Sequence, residues 1–304
     1  MSPHHFGMLA ALSAALCWSF GTFVFEAAGR RVGAFQLNLL RLTVALVLLS
    51  LTHLLVRGSI IPADVEARRL GLFALSGLVG LAIGDLCYFR SLLALGPGLA
   101  VLIQGLAPAF SAGLAWLALG EGLGLQDLAG ITLTMLGVSW VAVEPHRSTV
   151  ATAQTRRRWL GVLQGVAAAF CQGLGLVLAK EGLNDPGGIP VVSPLTATLA
   201  RMTMGTLCAW VMAIATRQIR ATPKSIADRR GMGFVALGAI LGPFVGVWLS
   251  QIAIQNTPAG VAATLFATCP IMVLVLLLIL RSERPSLRSA LGATVAVAGV
   301  ALLT

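Results

Sequence analysis

The stretch LAPAFSAGLAWLALGEGLGLQDLAG (residues 106–130) has a counterpart in the second half of the chain, FATCPIMVLVLLLILRSERPSLRSALG (residues 266–292). Both run from a proline through an apolar segment to a glutamate and then into a second apolar segment. At one constant offset, a proline, a glutamate and two glycines recur as the pairs Pro108/Pro270, Glu121/Glu283, Gly130/Gly292 and Gly137/Gly299. The chain is therefore an internal duplication, and this repeat constrains the fold.

The duplication extends toward the N-terminus with slightly smaller offsets. Arg41 matches Arg201, and nearer the N-terminus Cys17 matches Cys171. The offset changes only where loops are expected, as a true duplication allows. We therefore predict a first repeat over residues 1–144, a polar linker over 145–158 and a second repeat over 159–304.

The composition predicts an all-α membrane protein. Of the 304 residues, 57% are hydrophobic and only 11% are charged, whereas soluble proteins carry roughly 25% charged residues. Apolar runs recur along the chain, each close to the ~20 residues that a helix needs to cross a bilayer. The predicted transmembrane helices are ten: 6–28, 35–56, 70–95, 98–119, 127–144, 159–180, 195–216, 232–256, 259–280 and 287–304.

Five helices in each repeat make an odd number, so the second repeat must enter the membrane with the opposite orientation. Inverted repeats of this kind are frequent in secondary transporters, whose substrate sites lie near the membrane midplane between the halves. A duplicated membrane scaffold without transport activity is the alternative. The sequence is compatible with both a monomer and a homodimer.

The order of these features resembles the EamA-type transporters of the drug/metabolite transporter superfamily. The resemblance rests on ten helices in two repeats, an arginine early in the second helix of each repeat, and the spacing of proline and glutamate that closes each fourth helix. It covers nearly the whole chain, and it implies alternating-access movement of a small metabolite without supplying the substrate. No G-x-x-x-x-G-K-[ST] motif occurs, so the sequence favours secondary transport over ATP-driven transport.

The distribution of basic residues predicts the orientation. Connections on the side of the N-terminus carry four Lys and Arg residues, whereas those on the opposite side carry fourteen. The positive-inside rule places the richer side in the cytoplasm and both termini outside, in a bacterial-type inner membrane. Because the basic residues lie in short loops between apolar runs, they indicate topology and not a nucleic-acid partner.

Features that occur in both halves are interpreted as scaffold. Each third helix carries a small-x-x-x-small ridge that would let helices pack closely, formed by Ser76, Gly80 and Gly84 in the first half and by Gly238, Gly242 and Gly246 in the second. Pro97 and Pro258 mark tight turns into each fourth helix. Arg41 and Arg201 are expected to snorkel or to form pairs near opposite membrane faces, and a gating pair is the alternative.

Polar features that occur in one half only are the candidates for a substrate site. Asp85 lies well inside the third predicted helix, where its repeat partner is Val247, and Tyr88 shares its helix face. We expect Asp85 to face an aqueous central cavity with Tyr88, Trp18 and Gln251; pairing with Arg41 is the alternative interpretation. The remaining candidates offer amides and an indole: Gln104, Gln172, Trp248 and Gln255.

Together these features predict an exporter of amino-acid-like or other small organic metabolites that uses no cofactor and no resident metal. The four histidines have no metal-ligand spacing, and the five cysteines form no C-x-x-C pair. An exporter of drugs or organic cations is favoured if Asp85 acts as a counter-charge, and a proton is the coupling ion if Asp85 titrates. A membrane enzyme for lipid-linked substrates is the alternative from another class, although the loops offer only scattered carboxylates.

Overall fold

The structure is a computed structural model that describes residues 3–60, 65–119, 124–142, 152–183, 192–256, 265–281 and 286–302. The described chain is helical throughout, without strands. Its main helices are numbered in chain order: α1 (Pro3–Val32), α2 (Ala34–Arg57), α3 (Ala67–Ser76, Gly77–Gly84 and Asp85–Leu95), α4 (Pro97–Gln104 and Ala107–Leu119), α5 (Leu125–Ala142), α6 (Thr152–Leu183), α7 (Pro194–Ala215), α8 (Arg229–Ala239, Ile240–Gly246 and Val247–Asn256), α9 (Cys269–Arg281) and α10 (Leu287–Leu302).

The prediction of an all-α membrane protein is confirmed. Within the described residues, seven helices are long and apolar enough to cross a membrane, and three shorter apolar helices accompany them. Large apolar side chains such as Leu55 and Leu117 lie exposed on the outer surface, as expected of a body surrounded by lipid. The count of ten transmembrane helices stays a prediction. The connection from α7 to α8 contains a short helix, Thr222–Ala227, which was not predicted.

The third helix of each half contains a π-helical segment, Gly77–Gly84 in α3 and Ile240–Gly246 in α8. Pro243 lies inside the second segment and lacks the N–H that an α-helical hydrogen bond requires. In α3 the carbonyl oxygens of Leu81 and Ala82 accept hydrogen bonds from Asn38 Nδ2 at 3.2 and 3.0 Å. A side chain of α2 therefore satisfies backbone groups of the wide helical turns.

The contact between α5 and α10 is symmetric: it stays the same when the two repeats are swapped. A Cβ added at Gly137 would lie 2.8 Å from the carbonyl oxygen of Gly292, and one added at Gly299 would lie 2.8 Å from the carbonyl oxygen of Gly130. The two helices are therefore antiparallel. Because Gly130 and Gly292 are repeat equivalents, as are Gly137 and Gly299, exchanging the halves maps each of these contacts onto the other. Such a self-complementary contact is the signature of a two-fold relation.

The contacts that the third helix of each half makes with the other half show the same symmetry. Helix α3 packs against α6, and the equivalent helix α8 packs against α1. The predicted glycine ridges lie in these two seams. A Cβ at Gly84 would lie 2.9 Å from Cys171 Cβ, Gly80 lies beside Gly175, and Gly242 lies against the Phe25 ring. A Cβ at Gly246 would collide with the indole of Trp18. At the turn from α3 to α4, Gly96 adopts a φ of 81° and Pro97 opens the next helix.

Replacing Gly84 or Gly246 by leucine is expected to prevent most of the protein from folding. Each change forces a branched side chain into a seam that does not accommodate even a Cβ. The yield of monodisperse protein after detergent extraction measures the effect. Gly71→Leu in α3 and Gly233→Leu in α8 are matched controls, because a Cβ at either site meets nothing within 4 Å. Wild-type yields from both seam variants would contradict the observed packing.

Candidate functional site

The carboxylate of Asp85 lies in a polar cluster between the two repeats. Its Oδ2 pairs with Arg41 Nη2 in α2, and its Oδ1 accepts a hydrogen bond from Gln172 Nε2 in α6 at 2.6 Å. Arg41 also donates from Nε and Nη2 to Asn38 Oδ1, at 3.3 and 3.0 Å. The side chains of Arg41 and Asp85 are only 5% and 13% exposed. This is a buried ion pair whose remaining hydrogen-bonding groups are largely satisfied.

One expectation is narrowed here and another needs correction. Of the two outcomes expected for Arg41, snorkelling and pairing, the structure shows pairing: its guanidinium lies in the interior, 4.9 Å from the centre of the Phe89 ring and 5.7 Å from that of Phe25. Asp85 does not stand open to water, because Arg41 and Gln172 occupy its two oxygens. Pairing with Arg41, the alternative interpretation of the sequence, is what the structure shows. Removing a charged carboxylate from water costs hydration free energy, and a positively charged partner offsets that cost.

Arg201 lies beside the same cluster, and it has no partner in the part of the chain that the structure describes. Its Nε is inaccessible to solvent and makes no hydrogen bond, and it forms no hydrogen bond or ion pair with any described residue. A methyl group added at Gly80 would lie 3.8 Å from Arg201 Nη2 and 3.7 Å from Gln172 Oε1. The charge of Arg201 is also close enough to interact with that of Asp85. Of the two outcomes expected for Arg201, pairing is not seen among the described residues, and snorkelling stays a prediction.

Tyr88 of α3 contacts α1, and Trp18 of α1 contacts the segment that leads into α9. Tyr88 Oη is 3.2 Å from Thr22 Oγ1, and the Trp18 ring packs 5.2 Å from that of Phe266. Cys269 Sγ donates to the carbonyl oxygen of Ala15 at 3.1 Å. These contacts join α1 to α3 and to the beginning of α9.

The other predicted site residues are not brought into this cluster by any described contact. Gln104 is half-buried, with its Oε1 lacking a hydrogen bond within the described chain. Trp248 is 45% exposed and packs 6.2 Å from the ring of Phe244. The side chains of Gln251 and Gln255, and the whole of Pro258, lie outside the described residues.

Sequence analysis missed Glu26. Its side chain is completely buried, accepts from Arg30 Nη2 at 2.7 Å and pairs with Arg281 Nη2 at the end of α9. The guanidinium of Arg281 lies 5.4 Å from the centre of the Phe23 ring. The spacing of Glu26 and Arg30, four residues apart on a helix, was the available signal.

A second ion pair connects the same end of α1 to α8. Arg31 Nε and Nη2 each donate to Asp228 at 2.8 Å, and the backbone N–H of Gly231 donates to Asp228 Oδ1 at 3.1 Å. The hydrogen bond from Arg31, followed by that from Gly231, holds the pKa of Asp228 below its ordinary value. Asp228 is also the N-cap residue of α8.

Asp228→Asn is expected to lower the melting temperature slightly at pH 7, because it removes the charge and keeps an N-capping side chain. A lowered pKa stabilises the fold above the unfolded value of about 3.9, and the gain is lost as pH falls through the folded value. The difference between wild type and variant should therefore be constant from pH 8 to pH 6 and disappear in acid. Asp228→Ala, which also loses the cap, should melt lower than Asp228→Asn. Equal melting of both variants would contradict the capping role.

The model of the EamA-like transporter family matches residues 5–143 and again residues 159–304. The chain belongs to the EamA-like transporter family. Its two matched segments make this EamA protein a two-repeat, multi-pass membrane transporter of the drug/metabolite transporter superfamily, as the resemblance in the sequence indicated.

A solved structure shares the fold of this EamA protein. It is described only as the crystal structure of a protein, and it aligns with a TM-score of 0.67 over 98% of this chain and 96% of its own. The sequences are 19% identical, so this similarity concerns the fold alone. No curated protein is a significant sequence match.

Proposed function

We propose that this EamA transporter is a secondary exporter of small organic metabolites such as amino acids, working by alternating access between two inverted five-helix repeats. One observation carries the proposal. The polar cluster draws Arg41 and Asp85 from the first repeat and Gln172 and Arg201 from the second, at the seam where inverted-repeat transporters bind substrate.

The helix contacts support the inverted arrangement. A two-fold axis that exchanges the antiparallel helices α5 and α10 must run across those helices. If both helices cross the bilayer, the axis lies in the membrane plane and the repeats have opposite orientations. The π-helical segments of α3 and α8 lie in the seams between repeats and provide places where the two bodies can move.

The charges near Asp85 favour a metabolite over an organic cation. Arg41 already neutralises Asp85, and Arg201 adds a nearby positive charge that has no ion-pair partner among the described residues. A cation entering this cluster would meet net repulsion. We place the basic connections, including Arg31 and Arg281, on the cytoplasmic side of an inner membrane, with protonation of Asp85 as the coupling step.

Reporter fusions test the inverted arrangement. A reporter attached after residue 220 should be cytoplasmic, and one attached after residue 60, in the equivalent connection of the first repeat, should be external. Full-length protein with reporters on the same side at both points would contradict the orientation.

Transport itself is tested with purified protein in liposomes. A thermal-shift screen of small metabolites selects ligands, and their exchange across the vesicle membrane is then measured with protein-free vesicles as the control. An imposed proton gradient should accelerate the exchange in wild type. Ligands that bind but are never exchanged would contradict the transport proposal.

A further inference from the structure

A cavity of about 110 Å³ lies between the two repeats and shares no residue with the polar cluster around Asp85. Helices α4 and α5 of the first repeat and α9 and α10 of the second enclose it. Of the described residues that line it, only Ser289 is polar, and the others include Leu102, Val141 and Leu274. Leu274 and Ser289 are half-buried, so the cavity reaches the protein surface. Apolar cavities hold water poorly and accept apolar groups instead.

The surface around the cavity has the character of a lipid-facing surface at head-group depth. Leu278 of α9 and Leu291 of α10 are exposed, and so is Trp140 at the end of α5. Tryptophan is enriched where the acyl chains of a bilayer meet the head groups. A lipid acyl chain can therefore reach this cavity from the bilayer, whereas a water-soluble molecule would have to cross an apolar surface.

A positive charge lies at the mouth of the cavity. Arg288 precedes Ser289 in α10, and its Nε donates to the main-chain carbonyl oxygen of Trp140 at 2.8 Å. Its Nη2 donates to the same oxygen. The guanidinium is thus held where α10 meets the end of α5, beside the lining residues Ser289 and Val141. Two of its five N–H donors are used in this way, and Arg288 has no carboxylate partner in the part of the chain that the structure describes.

The duplication does not repeat this charge at the opposite membrane face. The connection from α9 to α10, residues 281–289, contains three arginines and one glutamate. Its equivalent, residues 119–127, contains two acidic residues and no basic ones, and Arg288 corresponds there to Gln126. Of the two equivalent connections, only the one beside the cavity is positively charged. An apolar cavity with a positive mouth fits a ligand that has an apolar chain and an anionic head.

We propose that this cavity binds part of one acyl chain of an anionic phospholipid, with the phosphate of the head group on Arg288. A guanidinium matches the oxygens of a phosphate, and the three remaining N–H donors of Arg288 are available for it. The volume of about 110 Å³ accommodates on the order of ten water-sized groups, which is a segment of one chain. The bound lipid contacts both repeats. This inference concerns lipid binding and does not depend on the transported substrate.

Two lipids that differ in head-group charge test the proposal. Full-length protein purified in detergent is titrated with phosphatidylglycerol, or with phosphatidylcholine that has the same acyl chains, and bound lipid is counted by native mass spectrometry. Phosphatidylglycerol should fill the first site at roughly fivefold lower concentration. The melting temperature should rise as the site fills, because the lipid binds the folded protein. Equal affinities for the two lipids, or inorganic phosphate that raises the melting temperature as much as the lipid does, would overturn the proposal.

Variants at the mouth of the cavity test the head-group contact and the chain contact separately. Arg288→Gln should weaken binding of phosphatidylglycerol roughly fivefold and leave that of phosphatidylcholine unchanged. Ser289→Phe, which places a ring in the mouth of the cavity, should weaken binding of both lipids. Ser289→Ala, which removes the hydroxyl group and leaves the space open, should weaken neither.

Arg220→Gln is the matched control, because it removes an exposed arginine from the connection between α7 and α8. It should change the affinity for phosphatidylglycerol much less than Arg288→Gln does. Equal effects of the two substitutions would reduce the binding to a general attraction by basic residues and overturn the proposal. A Ser289→Phe variant that binds both lipids like the wild type would show that the acyl chain does not enter the cavity, with the same consequence.

Discussion

Asp85→Asn is expected to destabilise the protein by about 3–5 kcal/mol and to reduce transport at least tenfold. Asparagine keeps the shape of the side chain but leaves Arg41 and Arg201 as two positive charges without a counter-charge in the cluster. Breaking one side of a buried ion pair costs this much because the other charge stays desolvated. Unfolding in a detergent mixture and uptake into liposomes measure the two effects.

A double variant identifies the cause. Arg41→Gln alone should also destabilise, whereas Asp85→Asn combined with Arg41→Gln should be less destabilised than the sum of the single variants, because no unpaired partner remains. Asp127→Asn, which neutralises a half-buried carboxylate at the start of α5 that pairs with no arginine or lysine in the described chain, is the control and should change stability little. Strictly additive effects of the two cluster substitutions would show that Asp85 and Arg41 do not depend on each other.

The fold could be predicted because the duplication and the hydropathy pattern are both regular features of the linear sequence. The constant offset between the repeats, the apolar runs and the glycine spacing were sufficient to predict the helices and to suggest where close helix contacts lie. The π-helical segments were not predicted, since one extra residue per turn leaves no periodic signal. Only Pro243 indicated an irregularity.

The site was harder to predict because the two halves differ there mainly in which side chains contact each other, and less in which residue types are present. Treating repeated features as scaffold drew attention to Asp85, whose equivalent is Val247. The same rule assigned Arg201 to the scaffold because Arg41 repeats it. Among the described residues, however, only Arg41 of the two equivalent arginines forms an ion pair with a carboxylate. Glu26 was overlooked because its partner Arg281 is 255 residues away.

Glu26→Gln is expected to favour the conformation that is open on the side of Arg281. The ratio of this open conformation to the closed one should rise at least tenfold. Glu26 connects α1 to α9, and the repeat equivalents of Glu26 and Arg281 are Lys180 and Leu119, so the duplication does not provide this ion pair at the opposite face. Arg30 and Arg281 can both reach solvent when Glu26 is neutralised, so we expect the loss of stability to be smaller than at Asp85. A change of about 1.4 kcal/mol is nevertheless enough to alter the ratio of two conformations tenfold.

Labelling measures this shift. A single cysteine replaces Phe23, which lies against the Arg281 guanidinium, in a variant without the five native cysteines. An impermeant maleimide added to the cytoplasmic side should react at least tenfold faster when Glu26→Gln is present, because separation of α1 from α9 exposes position 23. Arg68→Gln, which breaks the exposed ion pair with Glu181 between α3 and α6, is the control and should leave the rate unchanged. Equal rates with and without Glu26→Gln would mean that the Glu26–Arg281 pair holds the fold and does not control access.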